Sequence, residues 1–65
     1  MQIENQVKKL RKKKDITQEE LAEEVGVSRQ TINAIETGKY DPSLELALKL
    51  AEHFETNVEE IFSLD

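Results

Sequence analysis

Cysteine and tryptophan are absent from this chain, and histidine, proline and tyrosine occur once each. Without a thiol there is no disulfide to staple the fold and no thiolate to hold a metal, and His53 has no second histidine to complete an imidazole set. No metal site is expected. Two glycines and one proline are too few for a turn-rich β architecture, and no glycine-rich phosphate loop is present. No apolar run approaches the roughly 18 residues of a membrane span. The opening Met1-Gln2-Ile3-Glu4-Asn5 also lacks the apolar stretch of a secretion signal. A soluble, unexported, cytoplasmic protein that touches no membrane is expected.

Length adds a further exclusion. A chain of 65 residues buries only about 60% of the surface its unfolded form exposes, which allows one modest core. Residues 1–65 are therefore read as a single domain. Little room remains for a ligand pocket of roughly 300 Å³, so an enzyme is poorly supported and neither a cofactor nor a small-molecule ligand is expected. What the chain does have is Leu, Ala, Glu, Lys and Gln in abundance, which gives an all-α reading.

The net charge of -5 argues at first against a polyanionic partner, but the charges are segregated. Lys8, Lys9, Arg11, Lys12, Lys13 and Lys14 crowd one end, while Glu45, Glu52, Glu55, Glu59, Glu60 and Asp65 leave Lys49 as the only fixed cation of the last third. Repulsion from the acidic end is largely screened beyond a Debye length, about 8 Å at physiological salt. Net charge does not decide the matter.

Ile3, Val7 and Leu10, spaced by four and three, predict a first helix that fades near Lys14. Thr17 with Glu20 forms a capping box for a second, whose stripe continues through Leu21, Ala22 and Val25 to a stop and turn at Gly26-Val27. Ser28 caps a third helix with Ile32 and Ile35 inward, closed by Gly38. After the loop Lys39-Tyr40-Asp41-Pro42, Asp41 or Ser43 caps a fourth helix from Leu44 to Phe54, with Leu44, Ala47, Leu50, Ala51 and Phe54 sharing one inward face. Asn57 with Glu60 reads as a second capping box, starting a short last helix with Val58, Ile61 and Phe62.

Two short helices joined through a glycine turn, the second bearing exposed Arg29 and Gln30 in its first turn and Asn33 one turn on, have the geometry of a helix laid in the DNA major groove. Arginine can pair with guanine O6 and N7, and glutamine or asparagine with adenine N6 and N7. Gln18 lies at the amide-rich start of the second helix, where phosphate is attracted.

The segment from Thr17 to Lys39, Thr-Gln-Glu-Glu-Leu-Ala-Glu-Glu-Val-Gly-Val-Ser-Arg-Gln-Thr-Ile-Asn-Ala-Ile-Glu-Thr-Gly-Lys, strongly resembles the Cro/C1-type helix-turn-helix family, also called the Xre family. Pro42-Ser43-Leu44-Glu45 and Leu50-Ala51 match as well, so the likeness covers nearly the whole chain. The resemblance implies a compact five-helix bundle of the lambda-repressor-like type, with the helix-turn-helix at about residues 17–37. It implies a homodimer whose third helix reads a double-stranded DNA operator, with Arg29, Gln30, Asn33 and Ala34 facing bases and Gln18, Ser28, Thr37 and Lys39 near phosphates. It also implies a semi-buried ion pair between Arg11 and Glu36. The sequence departs from the family pattern at Glu55, where glycine is frequent.

Duller readings stand beside these. The basic run serves equally as a solvated helix face or, through Lys12 or Lys14, as a phosphate contact. Leu46 and Leu48 widen the apolar arc of the fourth helix beyond one core's needs, and with Phe62 and Leu64 they are assigned to a dimer interface. The function expected is transcription regulation, repression above activation. The alternative is an antitoxin-like interaction module with autoregulatory DNA binding.

Overall fold

Short polar side chains fix the helix starts in a computed structural model that describes residues 3–64. Along the chain run β1 (Ile3–Asn5), α1 (Val7–Lys13), α2 (Gln18–Val25), α3 (Arg29–Glu36), α4 (Leu44–His53), α5 (Val58–Ile61) and β2 (Phe62–Leu64). At α2 the box is complete: Thr17 Oγ1 accepts from the Glu20 amide at 3.0 Å and the Glu20 carboxylate accepts from the Thr17 amide at 2.8 Å. Ser28 caps α3 by accepting from the Thr31 amide at 3.1 Å. Ser43 rather than Asp41 caps α4, accepting from the Leu46 amide at 3.2 Å. Asn57 accepts from the Glu60 amide at 3.1 Å, but the return bond from the Glu60 side chain is not made, so the second expected box is only half formed.

Helix ends depend on the left-handed backbone region. Gly26 adopts φ of 78°, and its amide and that of Val27 both donate to the Ala22 carbonyl, at 2.8 and 3.0 Å, which turns the chain sharply into α3. Glu55, where the family pattern has glycine, takes the same kind of turn at φ of 55°, with the Thr56 amide reaching back to Ala51 at 2.9 Å. The turn is kept with a side chain that disfavours it by about 1–2 kcal/mol.

The all-α expectation needs correction, because β1 and β2 pair antiparallel with Ile3 opposite Leu64, Glu4 opposite Ser63 and Asn5 opposite Phe62. Ile3, expected on the first helix, lies in a strand, and Phe62, expected in the last helix, opens the other. The Gln6 amide donates to Ile61 at 2.8 Å and so carries the ladder up to the start of α1. Pairing Ile3–Asn5 with Phe62–Leu64 gives backbone groups of both segments partners within the protein.

The core is a single cluster of Val7, Leu21, Ala22, Val25, Ile32, Ile35, Leu46, Leu50, Ala51 and Ile61, flanked by partly buried Leu10, Ile16, Val27, Phe54, Val58 and Phe62. Every helix contributes to it. Leu21, Ile32, Ile35, Leu50 and Ile61 are essentially sealed from solvent, each burial favouring the fold by about 1.5–3 kcal/mol before chain entropy is counted. Leu46, assigned from sequence to a dimer interface, is 6% exposed and belongs to this core, while Leu44, assigned to the core face, is 73% exposed. The two exchange roles because Ser43 starts the helix with Leu46, Ala47, Leu50 and Ala51 facing inward. No helix among the described residues is long and apolar enough to cross a membrane.

Candidate nucleic-acid interface

Burying Ile32 and Ile35 leaves the opposite side of α3 outside. Arg29, Gln30 and Asn33 are exposed on it, Ala34 is half-buried at its edge, and Ser28 and Thr37 are exposed at its two ends. The sequence-predicted base-facing residues thus share one side of one helix. Lys39 is exposed just beyond, with its amide closing α3 against the Ala34 carbonyl at 2.8 Å. Thr37 Oγ1 donates to the Asn33 carbonyl at 2.9 Å and to that of Ala34 at 3.3 Å, which satisfies the last turn.

Two polar clamps hold this helix. Arg11 Nε donates to Glu36 Oε2 at 2.8 Å and Nη2 to Oε1 at 3.3 Å, while Nη1 donates to the Ile16 carbonyl at 2.9 Å. The Glu36 side chain is only 2% exposed, so this forked pair ties α1 to the end of α3 and also anchors the segment leading into α2. The second clamp is Asn5, whose Nδ2 donates to the Ile35 carbonyl at 2.9 Å while its Oδ1 accepts from the Val7 amide at 3.1 Å. Sequence reasoning did not single out Asn5. Its position two residues before Val7, where a short amide caps a helix, is the signal that was there to read.

Arg29 stands beside the start of α2, where Arg11, Asp15, Ile16, Thr17, Gln18 and Glu19 complete the lining of an open groove. The capping box consumes the amides of Thr17 and Glu20 and leaves those of Gln18 and Glu19 pointing off the helix end, the arrangement that favours a phosphate. Asp15 and Glu19 on the groove wall oppose that attraction.

Two of the expected phosphate residues are placed differently. Lys14 turns away, its Nζ donating to the His53 carbonyl at 3.2 Å and lying 5.9 Å from the centre of the Phe54 ring, so it caps the end of α4. Gln18 is half-buried, and its Nε2 donates to Glu36 Oε1 at 3.0 Å and to Asn33 Oδ1 at 3.2 Å. Its side chain has no hydrogen left for a phosphate, which leaves its backbone amide for that contact. Lys12 remains exposed on α1.

A glycine turn between two capped helices, the second clamped and polar outward, defines a helix-turn-helix unit. The helix-turn-helix family profile matches residues 7–61. Over 60 residues the chain is 55% identical to the uncharacterized HTH-type transcriptional regulator MJ0272 of Methanocaldococcus jannaschii, covering 92% of this chain and 91% of that one. It is 49% identical over 63 residues to the uncharacterized HTH-type transcriptional regulator YgzD of Bacillus subtilis, covering 97% and 96%. The crystal structure of the restriction-modification controller protein C.AhdI from Aeromonas hydrophila superposes with a TM-score of 0.78 at 33% identity, covering 85% of this chain and 83% of that one. The chain belongs to the Cro/C1-type helix-turn-helix family of DNA-binding transcriptional regulators.

Proposed function

We propose that residues 1–65 act as one DNA-binding domain that pairs into a homodimer, lays α3 in the major groove of each operator half-site, and represses transcription by covering promoter DNA. The observation that carries this reading is the outward row of Arg29, Gln30 and Asn33 on a helix held by Arg11–Glu36 and by Asn5. Base-reading side chains on a rigid support lose little freedom on binding, which is what discrimination between similar sites requires. Arg29 and Gln30 specify, Asn33 and Ala34 sit beside them, and the ends of α2 and α3 with Ser28, Thr37 and Lys39 set the register on phosphates. The two-fold partner covers apolar residues left outside, among them Leu48 at 54% and Leu64 at 67% exposed, together with half-buried Phe62.

Selection of bound sites from random duplexes, run beside a measurement of oligomer mass, tests the whole reading. The expected outcome is a pair of inverted half-sites about one helical turn, roughly 34–36 Å, apart and a mass of two chains. An unpatterned pool of bound duplexes would remove the sequence-specific claim, and a single half-site bound by a monomer would remove the dimer.

A further inference from the structure

The open groove at the start of α2 has the donors for a phosphate but the wrong charge to attract one. Arg11 spends its guanidinium on Glu36, whose charge cancels its own, and on the Ile16 carbonyl. Of the other residues lining the groove, Arg29 is a cation and Asp15 and Glu19 are anions, all three exposed. The groove therefore carries one net negative charge. Among the described residues, none of these three is in an ion pair that would cancel its charge. The local fold asks for neither carboxylate. Asp15 holds φ of 59°, a turn that glycine makes without strain and asparagine as readily as aspartate. Glu19 complements the helix dipole, but the neighbouring Glu20 already supplies a carboxylate there and completes the capping box with Thr17.

We infer that Asp15 and Glu19 are a built-in brake on DNA binding: they stand where a phosphate meets the free amides of α2 and Arg29, and repel it. The inference rests on the proposed docking of α3 in the major groove, which brings the start of α2 to the DNA backbone. Phosphates are the same in every sequence, so the repulsion lowers affinity for operator and random duplex alike. The brake sets how tightly the protein holds DNA, and α3 sets which DNA it holds. An operator held less tightly is released sooner, because differences in affinity between related complexes fall mostly on the dissociation rate. Two residues that contact no base thus limit how long each site stays occupied.

The test is the affinity of the full chain and of Asp15→Asn, Glu19→Gln, their double variant, Glu59→Gln and Arg29→Ala for a selected operator and for random duplex. Binding is measured at about 50 mM and about 200 mM salt, with thermal melting to establish that each variant is folded. At the lower salt each neutralisation in the groove should tighten binding to both DNAs by about threefold, and the double variant by about tenfold. The gain should shrink at the higher salt, where the charges are better screened. The single variants carry the test if the double variant does not fold. Glu59→Gln removes the same unit of charge from an exposed position on α5 and should change affinity by less than about twofold. A gain in the groove variants no larger than that of Glu59→Gln would assign the effect to net charge and overturn the inference, as would unchanged or weaker binding by the folded groove variants. If Arg29→Ala weakens operator binding while neutralising Asp15 and Glu19 gains nothing, the inference is wrong and docking of α3 stands. If neither change alters binding, the docking itself is wrong.

Discussion

Gly26 and Glu55 hold their backbones in the same left-handed region, at φ of 78° and 55°, yet only one of them is suited to it. At Gly26, between α2 and α3, the residue type, the flanking caps at Thr17 and Ser28 and the buried stripes on either side all specify the same turn. At Glu55, between α4 and α5, the residue opposes the turn and the packing of Phe54, Val58 and Ile61 against the core imposes it. The helix-turn-helix is therefore consistent at every level of its sequence, while the C-terminal end is held by contacts made elsewhere. The proposed docking of α3 in DNA requires a helix that is rigid without help from its partner, and the region that presents α3 is the one where local and global preferences agree.

Breaking the clamp on the consistent region should have the largest effect. Arg11→Ala leaves Glu36 buried and unpaired, and should cost about 3–5 kcal/mol of unfolding free energy in urea titrations. A loss under about 1 kcal/mol, the size expected of a surface pair, would show that the pair does not hold α3. Arg29→Ala comes next. It should weaken binding to a selected operator by about 1–3 kcal/mol in fluorescence anisotropy while leaving random duplex nearly unchanged and stability untouched, because the side chain is exposed and serves no packing.

The two turns then give a matched pair of smaller effects with opposite signs. A Cβ added at Gly26 meets nothing within 4 Å, so Gly26→Ala isolates the cost of the left-handed backbone and should lower stability by about 1–2 kcal/mol. Glu55→Gly removes that cost but adds freedom to the unfolded chain, for a net gain of about 0.5–1 kcal/mol. A rise in melting temperature for the second and a fall for the first are expected. Loss of stability in both would mean that the Glu55 side chain contributes a contact that outweighs its backbone.

The same contrast explains what could be read from residues alone. Thr17, Glu20, Gly26 and Ser28 act within a few positions of themselves, so α2, the turn and α3 were legible, and with them the exposed row of Arg29, Gln30 and Asn33. The strand pair was not, because it joins Ile3–Asn5 to Phe62–Leu64 and three residues are too few to show alternation. Ile3 fell by coincidence on the helical spacing of Val7 and Leu10. Leu46 and Leu44 were exchanged because an apolar arc broad enough for two surfaces does not say which edge faces inward until the packing partners are known. Gln18 was placed at the right helix end, but its commitment to Glu36 and Asn33 spans 18 and 15 residues and depends on how α2 packs against α3. Lys14 met a carbonyl 39 residues away, a partner no local rule supplies.

Competition binding of the Arg29→Ala, Gln30→Ala double variant against the wild-type protein, on a selected operator and on random duplex at the same salt, addresses the central claim most directly. If the outer side of α3 chooses the sequence, the double variant binds the two DNAs with nearly equal affinity and holds random duplex as tightly as the wild type does. Equal losses on both DNAs, or an intact preference for the operator, would place the choice of sequence on another part of the molecule.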